Sequence, residues 1–424
     1  MVPKDQDSST CALENLGDQQ ADELVPYCPS RDIWDNQGDS VNKSLLPIFT
    51  CYALISCADV GPVVEATAEP DQGNSDERAA LAAGSALPQP VVAKELLSCE
   101  PMAGMTPYCG YQNPEDLVHI PDTDLLIVSE MGEFMADSPG GLSLLNMTSG
   151  RRETLTIDWA NDWAGAAGGW GDENCAAPNI EAFSPHGIDL TVRDDGETAL
   201  LVVNHGGREA VEFFAVADNG DLSWRGCAQP PGDPFINDVA ARRDGGFYVT
   251  HMWNKTADFA ATAAALQGGK PTGWVWGWTQ AEGFAELPGT NAKMPNGIAI
   301  NASNTTLYVN VYFGGGSMAI DLANGTQLGT VEARQPDNIT VDTDGQLWIA
   351  SHQHDPIGQA CTQVTAGPCL LPFQIVKADP ETLEREVVVD HDGVPMGYAT
   401  VALKVGDRIY LGSAHGDRVV KLDL

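Results

Sequence analysis

The sequence is short of positive charge. Lys and Arg together number 22 against 59 Asp and Glu, a formal net charge of −37. A phosphate backbone needs a basic patch, so nucleic-acid binding is excluded as a function class, and docking to an anionic membrane surface is disfavoured for the same reason. No apolar run approaches the roughly 18 residues that a membrane-spanning helix requires. Helical periodicity is scarce throughout. No pair of cysteines has the close CxxC spacing of a zinc site. No G-x-S-x-G nucleophile elbow is present, which argues against a serine hydrolase. What the chain does have is 44 Gly, 27 Pro and 43% hydrophobic residues. That composition describes a turn-rich, strand-rich protein with a sizeable core and an affinity for cations.

Ten cysteines are present. Cys99 lies near Cys109, and Cys361 near Cys369, while Cys175 and Cys227 sit in similar Gly/Pro-flanked loops. Disulfides in an exported protein are the expected reading, with the pairing left open. Residues 1–40 are polar, acidic and patternless, and read either as a disordered extension or as lying upstream of the true start. Residues 41–57 combine Lys43, an apolar stretch from Leu45 and a small residue before Cys57, the layout of a secretory signal. Leu54-Ile-Ser-Cys57 looks like a lipobox, which would make Cys57 a lipid anchor. Periplasmic, outer-membrane lipoprotein and secreted locations all fit. Residues 58–93, rich in Ala, Pro, Glu and Asp, read as a linker.

From residue 94 to 424 a hairpin recurs six times. Six apolar strands end in polar residues: 125–130, 200–205, 247–251, 307–312, 347–352 and 409–414. Each follows a turn rich in Asp, Gly or Asn, and before each turn lies a second short strand: 117–120, 188–192, 239–241, 298–300, 339–341 and 400–403. Hairpins repeating about every 40 to 75 residues predict an all-β, six-bladed β-propeller with a disordered N-terminal extension.

The residues just ahead of these inner strands carry the chemistry. They read Pro114-Glu115-Asp116, Pro185-His186-Gly187, Ile236-Asn237-Asp238, Pro295-Asn296-Gly297 and Pro336-Asp337-Asn338. The first strand of each propeller blade lines the central channel, so these positions should meet at one of its ends. Glu115, Asp337, Asn237, Asn296 and Asn338 would form an all-oxygen set with two negative charges, which suits Ca²⁺. Counting across the hairpins places His186 opposite His205, Asp337 opposite His352, Asn237 near His251 and Glu115 near Glu130. Paired histidines beside a metal are candidates for proton transfer.

These motifs in this order resemble the serum paraoxonase/arylesterase family, within the wider gluconolactonase-like propellers. The matching segments are 114–117, 184–188, 201–205, 236–239, 295–298, 337–339 and 397–412. The resemblance spans about residues 100–424. It implies a six-bladed propeller with two Ca²⁺ ions in its channel. The catalytic ion would be held by Glu115, Asn237, Asn296, Asp337 and Asn338, and a deeper structural ion by Asp116, Asp238 and the carbonyl of Ile188. It further implies His186 as general base, His205 as its partner and His352 as another pocket histidine. The implied activity is hydrolysis of a lactone or (aryl) ester, with a sugar-lactone hydrolase as close rival and a non-catalytic binding propeller as distant rival. One departure stands out. No cysteine follows Cys369, so the family's bridge between its terminal strands cannot form, and ring closure is expected from strand pairing of residues 94–98 with 419–422. Two insertions, 132–182 and 252–292, carry Trp159, Trp163, Trp170, Trp274, Trp276 and Trp278, which either pack the loops or roof the pocket. A short helix is expected over 257–267.

Overall fold

The structure is a computed structural model, and it describes residues 97–133, 138–160, 170–356, 361, 364 and 366–424. The expectations for residues 1–40, 41–57 and 58–93, and for Trp163, lie outside the described residues. Six antiparallel sheets are present, each built outward from an inner strand. Blade I consists of Pro114–His119, Leu125–Glu130, Gly141–Asn146 and Arg151–Thr154. Blade II has Pro185–Val192, Thr198–Asn204, Ala210–Val216 and Leu222–Ala228, with Ile157–Asp158 added in parallel at its edge. Blade III is Pro234–Ala241, Phe247–Asn254, Trp274–Thr279 and Gly283–Glu286. Blade IV is Pro295–Ile300, Thr306–Val311, Gly316–Asp321 and Thr326–Glu332. Blade V is Pro336–Val341, Leu347–His352, Phe373–Ala378 and Arg385–His391. Blade VI takes Val401–Val405, Arg408–Gly412 and Arg418–Asp423 from the end of the chain and Met105–Cys109 from near its start. Each inner strand packs on the next and blade VI packs back on blade I, which closes the ring. This is the all-β six-bladed propeller expected from the hairpin repeat.

The blades follow from local sequence. Turns such as Arg193–Gly196 and Asp342–Gly345 need a residue in the left-handed region, and glycine supplies it at Gly196 (φ 89°) and Gly345 (φ 81°). Alternating apolar residues of the second and third strands then fill the spaces between blades. Trp159, Phe183 and Phe214 pack edge to face between blades I and II. Phe213, Phe247 and Trp278 pack between blades II and III. Besides Trp159, three more tryptophans have an ordinary explanation. Trp278 is core, Trp276 lies beside Phe284, and Trp170 is sandwiched by the Arg193 and Arg225 guanidiniums. The helix runs over Phe259–Gln267, capped by the Asp258 carboxylate on the Ala260 N–H.

Ring closure corrects the sequence expectation. The pairing strand is Met105–Cys109, in register from Met105 opposite Leu422 to Cys109 opposite Arg418. Residues 97 and 98 touch the last strand only through carbonyls that accept from the buried Arg418 guanidinium, at 3.2 and 3.0 Å. Residues 94–96 lie outside the described residues. The reason is local: Met105–Cys109 offers a buried apolar Met105 and a tight Ala103-Gly104 turn before it, whereas Leu97–Glu100 is largely exposed. The six described cysteines pair as Cys99–Cys109, Cys175–Cys227 and Cys361–Cys369.

Candidate functional site

The polar triplets do not precede the inner strands; they belong to them. In blades I to V the pairing of the first and second strands slips at the triplet, between Pro114 and Asp116, Pro185 and Ile188, Ile236 and Val239, Pro295 and Ile298, and Pro336 and Ile339. Such a β-bulge leaves residues unpaired and re-aims their side chains. In blades II to V the slip leaves a pair of successive residues without a ladder partner, and in blade I it leaves Glu115, paired in sequence with Asp116. The second of the pair alternates around the ring: Asp116, Gly187, Asp238, Gly297, Asn338. The glycines are required by close approach. A Cβ on Gly187 would lie 2.5 Å from the Asp238 carboxylate, and one on Gly297 would lie 2.4 Å from the Asp337 carbonyl. The large side chains thus fit into the space that the small residues leave.

The first residues of each pair, together with Asn338, form a connected, buried polar cluster. Asn338 Nδ2 donates to Glu115 Oε1 at 2.7 Å. Glu115 Oε1 is 3.7 Å from His186 Nε2, and Asn237 Nδ2 is 3.2 Å from the same nitrogen. Asn296 hydrogen-bonds the Asp337 carboxylate. Four oxygens in this cluster have no donor at all: Glu115 Oε2, Asn237 Oδ1, Asn296 Oδ1 and Asn338 Oδ1. A buried acceptor left unmet costs roughly 1–3 kcal/mol. The carboxylates also repel one another. Burial, then Asp116, Asp337 and Asp238, hold the Glu115 carboxyl well above its ordinary range. Burial pushes Asp337 up to about 7 despite the Asn296 hydrogen bond.

Below this cluster sit Asp116 and Asp238, both fully buried. Asp116 accepts from the Leu117 and Ile188 N–H groups at 2.8 and 2.7 Å, and Asp238 from Val239 and Ile298 at 2.8 and 2.9 Å. Each carboxylate therefore braces its own blade to the next. Asp189, which the sequence did not point to, braces blade II to blade III in the same way through the Ala241 N–H at 2.7 Å. Burial raises Asp116 to about 7 and Asp189 to about 6. These residues form the roof of a cavity of about 640 Å³ that opens at the other end of the channel.

The histidines divide into distinct roles. His186 Nδ1 is 2.9 Å from His205 Nε2, and burial with His205 nearby lowers the His186 pKa well below its ordinary value. His205 stacks on Phe235, with centroids 4.7 Å apart, and its Nδ1 lies 2.9 and 3.0 Å from the two Glu209 oxygens. His352 is fully buried with both nitrogens engaged, one by the Tyr312 hydroxyl at 2.9 Å and one by the Ala399 carbonyl at 3.1 Å; Tyr398 stacks on its face at 4.0 Å. Its Nε2 also lies 3.5 Å from Asp337. His251 is not brought to the cluster: its ring stacks on Trp274. Glu130 turns away too, into an ion pair with Arg152 at 2.7 Å. Hairpin counting gave the correct strand neighbours in all four cases, since His251 lies opposite Ile236 and Glu130 opposite Pro114, but only His205 and His352 turn their side chains to the cluster.

Among the described residues, no group of three or more His, Cys, Asp or Glu side chains is positioned to hold a metal ion. The oxygen-rich set above is different in kind, because three of its five members are asparagines. Its unpaired oxygens fit a hard cation that accepts neutral oxygen ligands.

Residues 190–363 match the SMP-30/gluconolactonase/LRE-like region. The expected resemblance to gluconolactonase-like propellers holds on that segment. The gluconolactonase-like region contains His205, Asn237, Asp238, Asn296, Asp337, Asn338 and His352; Glu115, Asp116, His186 and Ile188 precede it. The chain is 24% identical over 236 residues to serum paraoxonase/arylesterase 2 of Rattus norvegicus, a match that covers 53% of this chain and 60% of that protein. The chain thus spans about three fifths of that relative's length. Similar solved structures include a gluconolactonase of Xanthomonas campestris (14% identity, 76% of this chain and 89% of that one, TM-score 0.43). Another is the calcium-binding protein regucalcin of Agrobacterium tumefaciens (15% identity, 77% and 95%, TM-score 0.42).

Proposed function

We propose that this protein is a calcium-dependent hydrolase of lactones or esters, with water as the nucleophile. The observation that carries the reading is the set of four buried, donor-less oxygens on Glu115, Asn237, Asn296 and Asn338, beside His186, whose Nε2 faces the Asn237 amide. Glu115, Asn237, Asn296, Asp337 and Asn338 would hold one ion. Asp116, Asp238 and the Ile188 carbonyl would hold a second; each of these carboxylate oxygens keeps a lone pair beyond its backbone hydrogen bond. When bound at the upper set, Ca²⁺ supplies a Lewis acid for the substrate carbonyl and offsets the carboxylate repulsion. The chain's own residues handle the proton. His186 is neutral at pH 7 because burial lowers its pKa, so Nε2, on exchanging the Asn237 N–H for the attacking water, can take the water's proton. Asn237 Nδ2 orients that nitrogen, and His205 takes the charge that develops on the ring through Nδ1. His352 anchors the Asp337 side of the site. The three disulfides support an exported protein, since such bonds persist in oxidising compartments. A screen of aliphatic lactones, sugar lactones and aryl esters tests the proposal. Hydrolysis of at least one class should be lost on chelation and restored by Ca²⁺. Activity that survives exhaustive chelation, with no metal found by elemental analysis, would falsify the calcium reading; activity on sugar lactones alone would select the rival substrate class.

A further inference from the structure

We propose that Glu209 is a positioning residue for the histidine pair, fixing the tautomer of both rings and so the atom that removes the proton. The inference rests on the hydrolase reading above and adds a member that the sequence motifs do not contain. Glu209 follows His205 by four residues, across the Gly206-Gly207 turn between the second and third strands of blade II. Its carboxylate is largely buried and accepts from three directions: His205 Nδ1 at 2.9 Å, Lys255 Nζ at 2.6 Å and the Ile236 N–H at 3.3 Å.

A carboxylate with a cation at 2.6 Å is ionised and can only accept. His205 must then carry its proton on Nδ1. In the neutral ring this leaves a lone pair on His205 Nε2, so the 2.9 Å contact is a donation from His186 Nδ1–H. His186 Nε2 is left unprotonated, in agreement with the Asn237 amide that donates to it at 3.2 Å. The same orientation turns Asn237 Oδ1 away, where it is one of the four unpaired oxygens. One carboxylate thus determines the donor and acceptor roles of both rings, ending at the base. The opposite tautomer of His205 would point a ring N–H at His186 Nδ1 and face His186 Nε2–H against the Asn237 amide donor.

The support for Glu209 is itself built in. Its neighbour Arg208 grips the fully buried Glu212 through contacts of 2.7 to 3.0 Å, and Glu212 also accepts from the Trp224 indole at 2.9 Å. Asn204 Oδ1 takes the Gly206 N–H at 2.9 Å. The turn is therefore fixed on both sides of Glu209. Through the Ile236 N–H, Glu209 also ties blade II to the residue before Asn237.

The test uses the full-length protein with ¹⁵N-labelled histidine, the His205 signal being assigned by its loss in His205→Asn. The wild type should show His205 as the Nδ1–H tautomer. In Glu209→Ala that signal should shift toward Nε2–H. On whichever lactone or ester the wild type hydrolyses, kcat should fall about 10- to 100-fold with KM within about twofold, the range expected for removing an outer hydrogen-bond partner. Ca²⁺ affinity, read by calorimetry, should stay within about threefold, because Glu209 touches none of the unpaired oxygens. Should the alanine variant fail to fold, Glu209→Gln keeps the shape and should move the tautomer and kcat in the same direction. Wild-type His205 found as Nε2–H, or a folded variant with unchanged tautomer and kcat, overturns the proposal. If the wild type hydrolyses nothing, the hydrolase reading fails separately, and the tautomer alone decides whether Glu209 positions the pair.

Discussion

Five of the inner strands slip out of register with their partners at the channel mouth; the sixth does not. In blade VI, Val401 to Val405 pair with Gly412 to Arg408 in unbroken register. That strand offers the mouth no carboxylate, amide or imidazole from its paired residues. What it offers instead is support: Thr400 donates its hydroxyl to the Glu115 carbonyl at 2.7 Å, and its own carbonyl takes the Asn338 N–H at 2.9 Å. The contrast separates two tasks that share one architecture. Blades I to V spend backbone hydrogen bonds to aim side chains inward, and blade VI keeps its ladder whole where the ring must be fastened. A bulge next to the join would weaken the sheet at the place where no covalent link crosses between first and last strands.

The comparison is broken most sharply at its active half. His186→Gln should lower turnover roughly 10²–10⁴-fold while leaving Ca²⁺ affinity nearly intact, because it removes the base and none of the proposed ligands. Added Ca²⁺ should not restore it. Asn296→Ala, two blades away, should instead weaken Ca²⁺ affinity by about tenfold or more, near 1.4 kcal/mol, with activity rescued at high Ca²⁺. Kinetics over a Ca²⁺ titration check both; identical behaviour of the two variants would mean that the bulged residues do not divide into proton and cation roles. His391, which packs against Phe373 at the outer edge of blade V, is the control for the glutamine change.

A second expectation concerns pH. Without a cation, burial and mutual repulsion hold Asp337 and Asp116 at about 7, so these carboxyls retain protons below that pH. A cation must displace those protons. Apparent Ca²⁺ affinity should therefore rise as pH increases through about 7, and the raised Glu115 and Asp238 carboxyls act in the same direction. The buried histidines, whose pKa values are lowered, are not proposed ligands and should not contribute to this slope. Calorimetry across pH measures it, and a flat affinity between about 4, the ordinary carboxyl value, and about 7 would mean that the acidic residues of blades I, III and V do not face the ion.

The smallest effect is expected in blade VI. Thr400→Val keeps the shape and deletes one hydroxyl, so the loss should be about 1 kcal/mol of stability, with Ca²⁺ affinity within a few fold. Denaturant unfolding and calorimetry separate the two quantities. A large loss of Ca²⁺ affinity would show that the sixth blade shapes the site as strongly as the other five.

The six hairpins were legible because each second strand is an apolar run bounded by a turn, as with 125–130 and 347–352, which fall where expected. The inner strands were read about three residues short, since Glu115, His186, Asn237, Asn296 and Asp337 look like loop residues until a bulge is allowed within the strand. Their meeting at one end of the channel was still visible, because the triplets recur at one register. Glu209 was missed for a different reason. It lies on a turn between second and third strands, outside the repeating position, and its meaning comes from a carboxylate-to-ring contact that no periodicity announces. A charged residue four positions after a strand-end histidine, across two glycines, was the available signal. Trp274 and Trp276 were offered a roof over the pocket, but their strand pairing fixes them opposite His251 and Val249 within blade III.

The Cys99–Cys109 bond has a mechanical consequence. The strand it anchors runs antiparallel to the last one, with Met105 beside Leu422 and Cys109 beside Arg418. Without the bond, a pull on the chain ahead of the propeller would enter at Met105, next to where a pull on Asp423 enters, and the two strands would peel apart one hydrogen bond after another. The disulfide routes the force past that strand to Cys109, at the far end of the ladder from Asp423. Tension then runs along the strands in opposite directions, and the rungs between them share the load together. Reduction of this one bond changes a joint that resists sliding into one that unzips.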